Sequence, residues 1–176
     1  MKPKITHNDG CDKLWAPWRM AYIDNIGCKD EGCIFCTKPE QDDDEGNFIV
    51  HRGKTCFIIL NIYPYNNGHL MVVPYKHTSD ITTLSSEETC EMMEATTLAV
   101  NTMRKIMRPD GFNLGMNMGR TAGAGIDEHL HMHLVPRWNG DTNFMPVLCS
   151  TKVISESLGE TYNRLKQAIR EELDVD

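Results

Sequence analysis

The stretch HLHMHLV, His129 to Val135, constrains the fold more than any other part of this 176-residue chain. A histidine stands at every second position, with apolar residues between. Side chains of an extended strand alternate faces, so the pattern predicts His129, His131 and His133 on one face and Leu130, Met132 and Leu134 on the other. Histidine is not a strong strand former, and propensity alone does not account for the row. Such a row suits either a metal or a polyanion. In one chemistry a His-x-His pair holds a catalytic zinc that activates water. In the other a neutral imidazole attacks phosphorus and forms a phosphoramidate, splitting one displacement into two.

The neighbouring segments supply a sheet for that strand. NFIVHR (residues 47–52) and KTCFIIL (residues 54–60) read as two strands of a hairpin turning at Gly53. HLMVVP (residues 69–74) reads as a buried strand ended by Pro74, and FNLGMNMG (residues 112–119) as a glycine-containing strand. Ser85 and Glu88 form a capping box for a helix whose Met92, Thr96, Ala99, Met103 and Ile106 recur at helical spacing before Pro109. A closing helix carries Leu158, Tyr162, Leu165, Ile169 and Leu173 on one stripe. Hairpin strands with two helices indicate α+β rather than alternating βαβ. LWAPWRMAYI reads as an irregular aromatic segment, GCKDEGCIFC as a tight turn, QDDDEGN as a solvated loop without a role, and His7 and His51 as surface residues.

The formal charge of −7 argues against a nucleic-acid-coating protein, though not against a small anion held by a few local groups. No apolar run is long enough to cross a membrane, and MKPKITHNDG lacks the apolar core of a signal peptide, so the cytoplasm is the expected location. Seven cysteines, an odd number, argue against a disulfide framework there. Only Cys33 and Cys36 have a spacing with chemical meaning, and two thiols do not complete a tetrahedral zinc shell.

HLHMHLV matches the signature of the histidine triad (HIT) superfamily, and the resemblance extends well beyond it. NIYPYNNGHLMVVPYKH (residues 61–77) is similar to the family's nucleotide-binding segment, and NMGRTAGAG (residues 117–125) to its phosphate loop. Together with LWAPWR, CIFC and HLHMHLVPRW these resemble a bacterial branch that includes diadenosine tetraphosphate phosphorylases. The resemblance implies a HIT-like fold, an antiparallel sheet of about five strands with two main helices. It also implies a division into an N-terminal extension with a Cys-x-x-Cys zinc knuckle (residues 1–45), a HIT domain (46–148) and a C-terminal helix packed on it (149–176).

The resemblance assigns roles residue by residue. His131 is the nucleophile towards the α-phosphate of an adenine nucleotide or dinucleoside polyphosphate, oriented by the backbone carbonyl of His129. His133 contacts the phosphate or the bridging oxygen. Asn61 serves the ribose hydroxyls or simply its turn. Asn117 lies beside the phosphate, and Gly123 and Gly125 let the backbone approach it. His69 is the family's fourth histidine, or a buried strand histidine bonded to backbone. Arg137 and Trp138 shape the entrance, unless the tryptophan packs against another subunit. Cys33, Cys36, His77 and His129 form a structural zinc shell. A homodimer is implied as well. AGAGIDE lacks the serine many relatives carry before the triad, which leaves the acceptor open between water and inorganic phosphate. A nucleotide-binding module without turnover is the further alternative.

Overall fold

A computed structural model of the chain describes residues 32–143 and 153–174. The two most apolar runs become β2 (Cys56–Leu60) and β3 (Leu70–Pro74), in which every residue is buried. Strands buried in this way need a neighbour at each edge and a layer on each face. β1 (Ile49–Arg52) flanks β2, and β5 (Met132–Arg137) with β4 (Gly111–Met116) continues the sheet beyond β3. The order is β1-β2-β3-β5-β4, antiparallel throughout. The α+β expectation of a five-stranded antiparallel sheet with two main helices is met.

One face is covered by α2 (Ser86–Ile106) and α3 (Leu158–Leu173). Met92, Ala99 and Met103 of α2 and Tyr162, Leu165 and Ile169 of α3 pack on Val50, Ile58, Leu70, Val72 and Leu134. Both helices begin with a capping box, Ser85 with Glu88 and Ser157 with Glu160; such caps are worth about 1 kcal/mol each. On the opposite face Phe35, Ile49, Phe57, Ile59, Met71 and Val73 form a second apolar cluster. No helix among the described residues is long and apolar enough to cross a membrane.

Several expectations need correction. The region read as a tight turn contains a helix, α1 (Ile34–Glu40), which brings Phe35 into the second cluster. The acidic run is not merely solvated: Asp44 pairs with Arg52 at 2.8 Å and with Lys166 of α3 at 2.9 Å, tying the run to β1 and to a helix. His51 is half-buried rather than a surface residue, and burial pushes its pKa down. A register irregularity between Ile49 and His51 turns this part of β1 away from simple alternation. The last strand starts at Met132, so His129 and His131 precede the ladder, and the Leu130 N–H bonds to Thr78 O at 2.6 Å instead of to a strand. His7 and LWAPWRMAYI lie outside the described residues.

Candidate active site

Alternation still governs the triad segment. Leu130 and Leu134 are buried at 2% and 0% exposure, while the histidines point to the face that carries Phe35. The His131 and His133 rings lie 4.8 Å apart, and Phe35 packs on His131 at 5.1 Å and on His129 at 5.5 Å.

Backbone groups decide which ring nitrogens carry protons, because a carbonyl only accepts and an amide N–H only donates. His131 Nδ1 lies 2.8 Å from His129 O, so Nδ1 carries the proton and Nε2 keeps its lone pair. Burial lowers the pKa of His131, which keeps the ring neutral; its bond to the His129 carbonyl acts the other way. His129 Nε2 lies 2.8 Å from Pro74 O and donates to it, leaving the Nδ1 lone pair for another partner. His69, fully buried, accepts the Tyr65 N–H at Nδ1 (3.1 Å) and therefore donates from Nε2 to His133 Nδ1 at 2.9 Å. The His133 proton then resides on Nε2, which becomes a hydrogen-bond donor. Burial, followed by the neighbouring His133 and His131, pushes His69 down to about 3, so it remains neutral.

Beside the free nitrogen of His129 lie three more donors. His129 Nδ1 is 3.2 Å from Cys33 Sγ, 3.6 Å from Cys36 Sγ and 3.3 Å from His77 Nδ1, and Cys36 Sγ is 3.3 Å from His77 Nδ1. All four ligand atoms lie within 4.8 Å of one another. A zinc tetrahedron with these ligand types has edges of roughly 3.3–3.8 Å, so the donor set and its spacing fit that ion. Burial first, then the adjacent Cys33, pushes the Cys36 thiol up to about 11. Two thiolates this close need a cation between them. Cys33 caps the start of α1, so the helix missed in the sequence is the element that delivers both sulfurs.

The remaining expected residues divide. Asn61 Oδ1 accepts the Tyr63 N–H at 2.9 Å, a turn contact, while its amide lies 3.3 Å from His69 Nδ1. Asn117 lines a groove with His133, and its amide reaches Gly123 O at 3.4 Å. Gly123 has φ +89°, a conformation that favours glycine, and Gly125 lies in the same loop. Trp138 is not beside the histidines. It continues the helix-facing side of Leu134 and Pro136, so its indole N–H donates to Met107 O at 3.3 Å and the ring lines a separate cavity with Asn67 and Ile106. Arg137, on the other side, does reach the groove of His133. The sequence reading missed Phe35, the Pro74 carbonyl and the Tyr65 N–H; only the proline, ending a strand beside the motif, left a visible signal.

The sequence profile of the HIT domain family matches residues 43–140. The chain is 40% identical over 164 residues to "AP-4-A phosphorylase" of Mycobacterium tuberculosis, covering 89% of this chain and 84% of that protein. Among solved structures, a zinc-bound histidine triad family protein from Mycobacterium smegmatis superposes with a TM-score of 0.67 at 25% identity, over 82% of this chain and 98% of the other. A hypothetical histidine triad nucleotide-binding protein from Sulfolobus tokodaii gives 0.62 at 29% identity, over 81% and 93%. With a family profile over more than half its length and a relative this similar over nearly all of it, the chain belongs to the HIT family.

Proposed function

We propose that the chain is a nucleotidyl hydrolase or transferase whose His131 attacks the α-phosphate of an adenine nucleotide or dinucleoside polyphosphate. The observation that carries this reading is the 2.8 Å contact between His131 Nδ1 and His129 O, which leaves Nε2 with a lone pair. As the P–N bond forms, the P–O bond to the leaving group breaks in line. Positive charge gathers on the His131 ring, and the His129 carbonyl stabilises it. His133 donates a hydrogen bond to the bridging oxygen, and a polyphosphate departs as an anion without needing a full proton. An acceptor then breaks the P–N bond and returns the lone pair to His131. Water yields the nucleoside monophosphate and inorganic phosphate yields the nucleoside diphosphate; the likeness to the mycobacterial phosphorylase supports the second outcome as an alternative. Asn61 serves the nucleoside side, buried His69 orients His133 through its Nε2–H, and Asn117, Gly123 and Gly125 serve the phosphate side.

Cys33, Cys36, His77 and His129 would hold a structural zinc, supported by their spacing and by the zinc-bound mycobacterial neighbour. A full Cys₂His₂ shell keeps no open position for substrate. The reading includes a cytoplasmic homodimer. Reducing conditions keep such thiols available, and β4 is an edge strand with Leu114 49% exposed. Light scattering after size exclusion checks the dimer.

Replacing His131 with Asn should lower turnover of diadenosine tetraphosphate by roughly 10³-fold or more while AMP still binds. Turnover at the wild-type rate in that variant would remove His131 from the reaction. Product analysis with and without phosphate assigns the acceptor.

A further inference from the structure

His133, Val135 and Arg137 share one face of β5, because strand side chains alternate. They line a groove of about 390 Å³ between β4 and the Tyr65–Asn66 loop. In the β4–β5 register Gly115 pairs with His133 and Asn113 with Val135. The wall opposite His133 therefore carries no side chain, and a Cβ placed on Gly115 would meet nothing within 4 Å. The groove is open at the reactive end and bounded by Arg137 at the other.

Arg137 is held before any ligand arrives. Its Nε donates to one Asp141 oxygen at 2.6 Å, one terminal nitrogen to the other at 2.9 Å, and the second terminal nitrogen to Asn113 Oδ1 at 2.9 Å. Asp141 also accepts from the Asn66 amide at 2.8 Å and from the Trp138 N–H at 3.2 Å, and Asn66 is buried. The guanidinium has thus already lost its rotamer freedom, which lowers the entropic cost of gripping a ligand. These bonds use one N–H on each nitrogen and leave a further N–H on each terminal nitrogen, on a side chain 47% exposed. The lean towards Asn113, which sits opposite Val135, brings the guanidinium back along the strand towards His133. The His133 and Arg137 backbones are about 13 Å apart, four strand rises, a span that suits a polyphosphate chain and not a lone phosphate. The Arg137–Asp141 pair is net neutral, so it selects by directed N–H donors rather than by long-range attraction.

We propose that this groove is the leaving-group subsite and that Arg137 is a specificity residue that grips a distal phosphate of a polyphosphate leaving group. The assignment rests on His131 as nucleophile: in-line attack sends the leaving group past His133, into the groove. It names the substrate class as nucleotides whose α-phosphate is followed by several more phosphates.

The test compares kcat/KM for diadenosine tetraphosphate with the inhibition constant of AMP, which has no leaving group, in the full chain. Arg137→Gln should lose about 10- to 100-fold in kcat/KM while AMP inhibition stays within about twofold. Asn113→Ala removes the Oδ1 that holds one terminal nitrogen, loosens the guanidinium and should lose about 3- to 10-fold, again without changing AMP inhibition. If Arg137→Gln does not fold, the Asn113→Ala comparison decides alone. Unchanged kcat/KM, or an equal weakening of AMP, overturns the subsite. A wild-type chain that does not turn over the tetraphosphate overturns the nucleotidyl-transfer reading itself, a result distinct from loss of selectivity in an active enzyme.

Discussion

The two ends of the histidine row meet different walls. At His129 the ring is enclosed: Nε2 bonds the Pro74 carbonyl, Nδ1 meets two sulfurs and the His77 imidazole, and Phe35 packs alongside. At His133 one nitrogen is tied to His69, while the side chain lines an open polar groove. His131 stands between, oriented by the backbone of the enclosed end. Three identical residues at one spacing thus receive different work from what the fold packs beside them. In the proposed reaction the enclosed end sets geometry, and the open end meets the groups that change. Substitutions at the two ends should therefore fail in different ways.

The largest effect is expected at the enclosed end. Cys36→Ser removes one of four converging donors and loosens His129 on its Nδ1 side, while the Nε2 bond to the Pro74 carbonyl remains. Bound zinc should fall from about one per chain to none, and the melting temperature should drop by about 10 °C or more, because ligand binding energy is folding energy. Turnover should fall with it as the His129 carbonyl is held less firmly against His131. Zinc analysis, thermal melts and kinetics on the same preparation check this. A variant with wild-type melting temperature and rate would show that the cluster does not position His131.

The open end should lose rate without stability. In the proposed reaction His133 donates to the bridging oxygen; His133→Ala removes that donor, and kcat should fall about 10²-fold with the melting temperature within about 2 °C of wild type. A melting loss as large as that of Cys36→Ser would erase the proposed difference between the ends.

What the sequence revealed follows from the range of the interactions involved. The His131–His129 contact joins residues two apart, and the resemblance carried by HLHMHLV implied it, while the spacing alone left a catalytic metal equally open. The buried strands CFIIL and LMVVP and the Ser85 capping box were legible for the same local reason. α1 was not, because a short segment containing Pro39 reads as a turn; its helix is held by burial of Phe35 rather than by propensity. Asp44 looked solvated because one of its partners, Lys166, is 122 residues away. Arg137 was placed at the entrance; its partner Asp141 is only four residues on, but Asn113, which completes the lock, is 24 residues away. Trp138 reads as shaping the entrance or packing on another subunit; its indole partner, the Met107 carbonyl, is 31 residues away and invisible locally.

The smallest effect concerns His69, which joins the open end to the core. In the folded chain it is held neutral, its pKa pushed down to about 3 by burial and by His133 and His131, whereas an unfolded histidine titrates near its ordinary value of 6.5. Between those values the unfolded chain binds a proton that the folded one refuses. The stability this provides is complete above about pH 6.5 and declines as the pH falls towards 3, by about 1.4 kcal/mol per pH unit from this residue. Between pH 6.5 and pH 5 the wild type should therefore lose about 2 kcal/mol more than His69→Gln, as urea unfolding at the two values would read. Every other titrating group is present in both proteins and cancels in the difference. Equal losses in the two would mean that His69 takes up a proton in the folded state, and the Nε2–H bond that sets the tautomer of His133 would no longer follow from a neutral His69.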